Sequence, residues 1–314
     1  MIQYKRALVT GGAGFIGSHV VKRLLDSGIE VAVLDNLSTG CRENLSGMDV
    51  TLCEGDIRNT ADVARAVEGC EVVFHLAASV GNIRSIDNPV LDAETNVLGT
   101  LNVLEAARLA NVRKIVYSSS AAIFGRAVKL PMTENHLQAP EAPYGASKLA
   151  GETLCLTYSR LYGLETVCLR YFNVYGPNQR FDAYGNVIPI FVERLLESQP
   201  LVVYGDGEQT RDFVHAADVA RANLLAARMP GSGTFNIGSG ETVSVNGLVG
   251  LLGQISNRSV KVDRQPPRRG EVPHLCANIG KAVEVLHYVP TVDFSQGLRD
   301  YVAWFQGASK RVFV

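Results

Sequence analysis

The chain has 314 residues, with 30 basic against 31 acidic side chains and a formal net charge of −1. That balance argues against a general nucleic-acid binder, which carries a basic excess. With 46% hydrophobic and only 19% charged residues, wholesale disorder is excluded and one or two sizeable cores are affordable.

The opening residues Met1–Arg6 run straight into a strand pattern, so no leader peptide is expected. No apolar run approaches the roughly 18 residues that would span a bilayer. The six cysteines (41, 53, 70, 155, 168 and 276) show no C-x-x-C spacing, and no metal site is expected. These features point to a soluble, cytoplasmic protein without a membrane or nucleic-acid partner.

Strands and helices then alternate. Ala7–Thr10 is a short apolar run closed by glycines, followed by a helical pattern over Phe15–Ser27 that Gly28 ends. Glu30–Asp35 and Asp49–Glu54 read as the second and third strands, and a helix is expected over Thr60–Glu68. Val72–Leu76 is the fourth strand, before a long helix over Asp92–Ala110. Lys114–Ser118 is the fifth strand, and a helix over Tyr144–Tyr162 leads to a sixth at Thr166–Arg170. Near-continuous Val/Leu/Ile strands alternating with helices predict an α/β fold, a doubly wound parallel sheet covered on both faces.

After Asn173 the rhythm loosens, with Pro and Gly recurring between shorter elements. The expectation is a nucleotide-binding domain over 1–173, joined by returning segments near 210–238. Strands at Phe213–His215 and Thr234–Asn236 are expected to rejoin the main sheet. A smaller C-terminal α/β lobe would take 174–209 and 239–314.

Thr10–Gly17 (TGGAGFIG) sits between the first strand and first helix, with Gly11, Gly14 and Gly17 in G-x-x-G-x-x-G spacing. Glycines there permit a tight turn, let a pyrophosphate reach the backbone, and seat the helix on the sheet. The helix N-terminus adds N–H groups and partial positive charge. The next strand ends in Asp35, where a carboxylate can accept ribose hydroxyls and repel a 2′-phosphate. NAD is therefore expected in preference to NADP.

Tyr144 and Lys148 open the helix after strand five, one turn apart on one face. A free phenol titrates near pH 10, and a neighbouring ammonium together with a bound nicotinamide cation is expected to lower that value and make Tyr144 a usable base. Upstream, Ser118, Ser119 and Ser120 end strand five at the carboxyl edge of the sheet, where ligands bind in open α/β folds. A solvated strand end is the plainer reading of a serine run taken alone.

Together these motifs resemble the extended short-chain dehydrogenase/reductases of the NAD-dependent epimerase/dehydratase type, over essentially the whole chain. The resemblance implies a Rossmann domain with a C-terminal substrate lobe. It rests on Thr10–Gly17, Asp35-Asn36, Asp56-Ile57, His75–Ala78, Asn96, Ser118–Ser120, Tyr144/Lys148 and Leu169–Asn173. It implies NAD contacts from Gly11, Gly14, Phe15, Ile16, Gly17, Asp35, Asn36, Asn96, Ser118, Tyr144, Lys148 and Tyr171. Asp56 and Ile57 would meet the adenine, Leu76, Ala77 and Ala78 would line the dinucleotide, and Ser120 matches the catalytic hydroxyl. A homodimer through the helices after Asp92 and Tyr144 is also implied.

Sugar 4,6-dehydratases of this type carry an Asp-Glu pair after the catalytic hydroxyl. Here Ala121 and Ala122 stand there, which cannot transfer protons. What remains suits a redox-neutral 4-epimerase of UDP-hexoses; the resemblance implies that Tyr144 would take the O4 proton and NAD the C4 hydride, both returning after the 4-keto sugar turns over. Another nucleotide-sugar enzyme of the fold, such as a uronate epimerase, decarboxylase or reductase, and an inactive NAD sensor are the other readings; intact Ser120, Tyr144 and Lys148 speak against the sensor. By the same resemblance the UDP-sugar would be held by Ser120, Asn173, Asn186, Val187, Arg211, Arg268 and Glu271. Glu271 stands where the pattern has Asp. Leu275 would wall the pocket near the sugar C2, where a tyrosine excludes an N-acetyl group.

Overall fold

The computed structural model describes residues 4–179, 181, 186–257, 259–267 and 272–309. Its first half runs β1 (Arg6–Thr10), α1 (Phe15–Leu25), β2 (Glu30–Asp35), β3 (Val50–Glu54), α2 (Thr60–Val67) and β4 (Val72–His75). Two short helices, α3 (Asn82–Asp87) and α4 (Pro89–Ala93), precede a π turn at Glu94–Leu98 and α5 (Gly99–Leu109). β5 (Lys114–Ser120), α6 (Pro143–Tyr162) and β6 (Glu165–Tyr171) follow. The second half holds β7 (Asn173–Tyr175), α7 (Val187–Leu196), β8 (Leu201–Tyr204), β9 (Thr210–Arg211), β10 (Phe213–His215) and α8 (Ala216–Arg228). It continues through β11 (Gly233–Ile237), β12 (Val243–Ser244), α9 (Val245–Ser256), β13 (Val262–Gln265) and α10 (Phe294–Ser309).

Seven strands form one sheet in the order β11-β6-β5-β4-β1-β2-β3, every neighbour parallel. The chain winds outward from β1 through β2 to β3, then returns to the other side of β1 at β4. The crevice beyond the carboxyl ends of β1 and β4 is the topological switch point, where open parallel sheets bind ligands. Alternate strand residues feed two cores. Val9, Val33 and Val116 pack with α1 and α8 on one face, and Leu8, Leu34 and Ile115 with α2, α5 and α6 on the other.

Local chemistry explains the helix ends that matter. Asn59 caps α2 by accepting the Ala61 amide at 2.9 Å. α6 starts on Pro143, whose missing N–H costs nothing there, and stops at Gly163 in the left-handed region at φ 71°. The helix expected from Asp92 begins three residues earlier, at Pro89, and carries the π turn in its middle. Such a single turn of i→i+5 bonding is too short to be read from the apolar spacing.

One strand departs from expectation. Thr234–Asn236 does rejoin the main sheet, within β11 beside β6. Phe213–His215 instead pairs with β7 in a separate two-stranded ladder. β11 takes the place beside β6, and β10 pairs instead with β7, which follows β6 directly in the chain. A third core, including Tyr175, Phe191, Phe213, Leu248 and Tyr301, packs α7, α9 and α10 together.

Candidate active site

The glycine turn between β1 and α1 is built for close approach. Gly11 lies at φ +70°, and a Cβ there would stand 2.7 Å from the Ala77 amide nitrogen. A Cβ on Gly17 would stand 2.0 Å from the Gly11 carbonyl oxygen, so α1 sits on the turn only because that position is bare. Gly14 caps α1 with no side chain, and Phe15 and Ile16 follow in its first turn. This cradle fits a dinucleotide diphosphate.

Asp35, only 7% exposed, closes the same turn. Its carboxylate accepts the Ala13 amide and the Leu37 amide, each at 2.9 Å. Burial pushes its titration up, opposed by these backbone bonds. Beside it Asn36 donates to Asp56 at 2.9 Å, and the Arg58 guanidinium holds Asp56 down at about 2. Ile57 is buried, and its side chain fills the space a Cβ on Gly99 would need.

A buried chain of hydrogen bonds ties the turn to the π turn. The Thr100 hydroxyl donates to the Asn96 carbonyl at 2.7 Å, so it can only accept from His75 Nε2 at 3.0 Å. His75 Nδ1 is then bare and accepts from the Thr10 hydroxyl at 2.7 Å, which in turn accepts the Ala77 amide at 3.3 Å. Burial and the Lys148 charge lower His75 to about 3, so it stays neutral. Leu76 is fixed by its amide bond to the Thr10 carbonyl at 3.1 Å, which carries Ala77 and Ala78 along the crevice rim.

Tyr144 and Lys148 stand on the face of α6 that meets the end of β5. Ser85 of α3, fully buried, accepts the Tyr144 amide at 3.0 Å and so caps the first turn of α6. Lys148 Nζ donates to the Ser118 carbonyl at 2.8 Å and lies 5.0 Å from the Tyr117 ring centroid. Burial lowers Lys148 to about 8. The expected lowering of Tyr144 by this ammonium is not found: burial pushes the phenol up to about 12, opposed by its hydrogen bond with Ser120. The ammonium is turned toward Ser118 and Tyr117 instead.

The three serines part company, as alternation along a strand requires. Ser119 donates to Glu152 at 2.7 Å, and Glu152 is locked by Arg170 at 2.6 Å in a fully buried pair. Ser120, half-buried, faces Tyr144 and accepts the Ala122 amide at 3.1 Å. Asn96, in the π turn, exchanges bonds with Ser79, accepting its amide at 2.8 Å and donating to its carbonyl at 2.9 Å. The Tyr171 hydroxyl is taken by Asn223 of α8 at 3.1 Å, inside the core.

On the lobe side, Asn173 opens β7, its amide bonded to the Asp212 carbonyl at 3.0 Å. Asn186 is the N-cap of α7 and Val187 its first residue. Arg211 donates to the carbonyls of Thr210 and Pro273 at 2.9 and 3.1 Å. Leu275 is pinned next to it by a 3.1 Å bond to the Thr210 carbonyl and packs on the Phe124, Met132 and Phe172 cluster behind Ser120. Arg268 and Glu271 lie outside the described residues. Among the described residues no group of His, Cys, Asp or Glu is arranged for a metal ion.

Sequence reasoning missed Ser85, Asp92 and the Glu152–Arg170 pair. Glu152 could have been noticed, since it lies one turn beyond Lys148 on the same helix face. Ser85 gives no such signal, because its target is in another element.

Residues 7–238 match the family model described as the NAD dependent epimerase/dehydratase family. The UDP-glucose 4-epimerase of Mycolicibacterium smegmatis is 38% identical over 313 residues, covering 97% of this chain and 100% of that protein. The UDP-glucose 4-epimerase of Thermotoga maritima, solved with UDP-glucose, superimposes with a TM-score of 0.93 at 40% identity, covering 97% of this chain and 99% of that one. The UDP-N-acetylglucosamine 4-epimerase of Methanobrevibacter ruminantium, solved with UDP-N-acetylmuramic acid, gives 0.93 at 34% identity, covering 98% and 100%. With the glycine cradle, Asp35 and the Tyr144–Lys148 face in one crevice, the chain belongs to the NAD-dependent epimerase/dehydratase family, and NAD is its cofactor.

Proposed function

We propose that the protein interconverts UDP-hexoses at C4, taking UDP-glucose and UDP-galactose and also admitting the N-acetylated pair. The observation that carries this reading is the meeting of Ser120 and Tyr144 at the end of β5, with Ala121 and Ala122 beside them. That set can move one proton at one oxygen, and it offers no second acid or base for eliminating water.

Ser120 would hold the sugar O4, and Tyr144 would take and return its proton. When bound, NAD supplies a reversible acceptor for the hydrogen carried on C4. Lys148, one turn below Tyr144, would hold the nicotinamide ribose, and Asp35 the adenosine ribose. The segments 174–209 and 239–314 would form the lobe that grips the nucleotide, with Arg211 and Arg268 at the diphosphate, Glu271 at the uridine ribose, and Asn173, Asn186 and Val187 along the sugar. The two UDP-glucose 4-epimerases and the UDP-N-acetylglucosamine 4-epimerase among the relatives support this substrate class.

A cytoplasmic homodimer completes the reading. All six cysteines are free thiols. Val90, Leu98, Leu161 and Tyr162 are exposed on α4, the π turn and the end of α6, the helices through which two copies would join. The test of function is incubation with UDP-glucose, UDP-N-acetylglucosamine and UDP-glucuronate, with products read by proton NMR. Formation of the 4-epimers of the first two without net NADH change supports the proposal. Turnover of UDP-glucuronate alone overturns it.

A further inference from the structure

Asp92 is 1% exposed, on the turn of α4 just before the π turn, and faces α6. Its surroundings leave the carboxylate short of donors. Asn96 Nδ2 points at three acceptors, the Ser79 carbonyl at 2.9 Å, Asp92 Oδ1 at 3.1 Å and Ser147 Oγ at 3.0 Å. An amide nitrogen has two protons, so one acceptor always goes without. Ser147 Oγ also lies close enough to bond Asp92, yet it donates to the Tyr144 carbonyl at 3.0 Å. The second oxygen, Oδ2, is buried and has no hydrogen-bond partner among the described residues. A buried carboxylate in that condition is costly unless a cation stands near.

The cation is Lys148. It too is buried, 3% exposed, and has a single carbonyl partner. The titratable groups around it are Tyr144, Cys155 and, one turn on, Glu152 on α6, Tyr117 from β5, His75 from β4 and Asp92 from α4. Glu152 is paired with Arg170, so Asp92, whose carboxyl burial pushes up and Ser147, Lys148 and Asn96 hold down, is the acid for which Lys148 serves as the cation. From α3 the charged groups are Arg84, half-buried, and Asp87, exposed.

We propose that Asp92 is a positioning residue for the Tyr144–Lys148 pair, its buried, unpaired oxygen serving as the counter-charge of the buried Lys148 ammonium while its negative field adds to the burial that keeps Tyr144 a phenol. It acts through Lys148 and Tyr144, opposing the effect of burial on the ammonium and adding to it on the phenol. The electrostatic coupling runs both ways, since Asp92 favours the charged lysine and disfavours the tyrosinate. The role rests on Tyr144 and Lys148 being the acid/base pair.

The experiment is Asp92→Asn, which keeps shape and removes charge. In protein with 13Cε-labelled lysine, the Lys148 signal is identified by its loss in Lys148→Met and titrated by NMR. Its midpoint, about 8 in the parent, is expected to fall by about one pH unit or more. The tyrosinate absorbance that Tyr144→Phe removes is expected to shift to lower pH as well. Neither titration needs substrate, so both stand apart from the sugar assignment. In the turnover profile, the alkaline limb is expected to move down in step with Lys148. Ser147→Ala, which perturbs the same contact without changing charge, should leave the Lys148 midpoint in place. Unmoved midpoints in Asp92→Asn, or an equal shift in Ser147→Ala, would overturn the proposal.

Discussion

The Asp35 carboxylate accepts the Ala13 amide at 2.9 Å, so the residue that ends β2 also pins the glycine turn that follows β1. One side chain therefore serves the shape of the cradle and the ribose it would bind. Removing it strips a partner from two backbone amides, Ala13 and Leu37. Asp35→Ala is expected to weaken NAD binding, relax discrimination against NADP, and cost on the order of 1–3 kcal/mol of stability. Asp35→Asn should restore part of the stability without restoring selectivity. Calorimetric binding of both cofactors and denaturant melts check this; a fully stable Asp35→Ala would contradict the pinning role.

That double duty shows what was legible in the sequence. The glycine spacing and Asp35 announced the cradle, because both follow from where a diphosphate and ribose must sit. The alternation of apolar strands announced the sheet. The Lys148 orientation was not legible: whether an ammonium turns to its neighbouring phenol or to the Ser118 carbonyl depends on packing against Tyr117. The fate of β10 depended on its long-range pairing with β7, which no local pattern announces. Ser85, Asp92 and Arg170 act on partners far away in sequence, which local spacing does not reveal.

The Gly17 position separates fold from binding. A Cβ there meets the Gly11 carbonyl at 2.0 Å, a backbone atom that cannot swing aside, whereas a Cβ on Gly14 meets it at 3.1 Å. Gly17→Ala is expected to displace α1 and abolish NAD retention together with part of the stability. Gly14→Ala should fold nearly as well as the parent. Thermal melts paired with the cofactor absorbance of the purified protein distinguish the two.

Lys148 should destabilise the fold it serves. Its titration near 8 lies below the ordinary 10.5, so between those values the unfolded chain binds more protons and stability rises with pH. Below pH 8 the full penalty applies, roughly 3 kcal/mol from a shift of that size. Lys148→Met is thus expected to lose the rise between pH 8 and 10.5 and most turnover, while at pH 7 the relieved lysine burial is set against an Asp92 left without its counter-charge. Urea midpoints across that range are the measurement. A parent whose stability does not rise there would count against the buried charge.

The acid/base machinery predicts an order among three variants. Tyr144→Phe should lose about 10²–10⁴-fold in turnover with the fold intact. Ser119 cannot stand in for Ser120, because its hydroxyl is held by Glu152 at 2.7 Å on the opposite side of β5. Ser120→Ala is therefore expected to lose turnover on a similar scale, about 10²-fold. Arg170→Ala acts differently: it leaves Glu152 buried and unpaired, so a stability loss of about 3–5 kcal/mol is expected. Steady-state rates and melts on the three proteins separate chemistry from scaffold.

Leu275 decides the sugar prediction. Its backbone is fixed beside Arg211 by the bond to Thr210, and its side chain leans on Phe124, Met132 and Phe172, next to the Ser120 end of β5. Trp304 packs with Tyr301 and Phe305 in the third core, so it is no competitor for this contact. If that side chain forms the proposed wall near the sugar C2, a leucine, shorter than tyrosine and without a hydroxyl, would leave room for an N-acetyl group without a polar partner. Leu275→Tyr would fill that room from a backbone that cannot retreat. The expected outcome is unchanged turnover of UDP-glucose and UDP-galactose and a selective loss on the N-acetylated pair, through a clash rather than lost chemistry. Relative kcat/KM on the two pairs measures it, and an unchanged ratio would place the wall elsewhere.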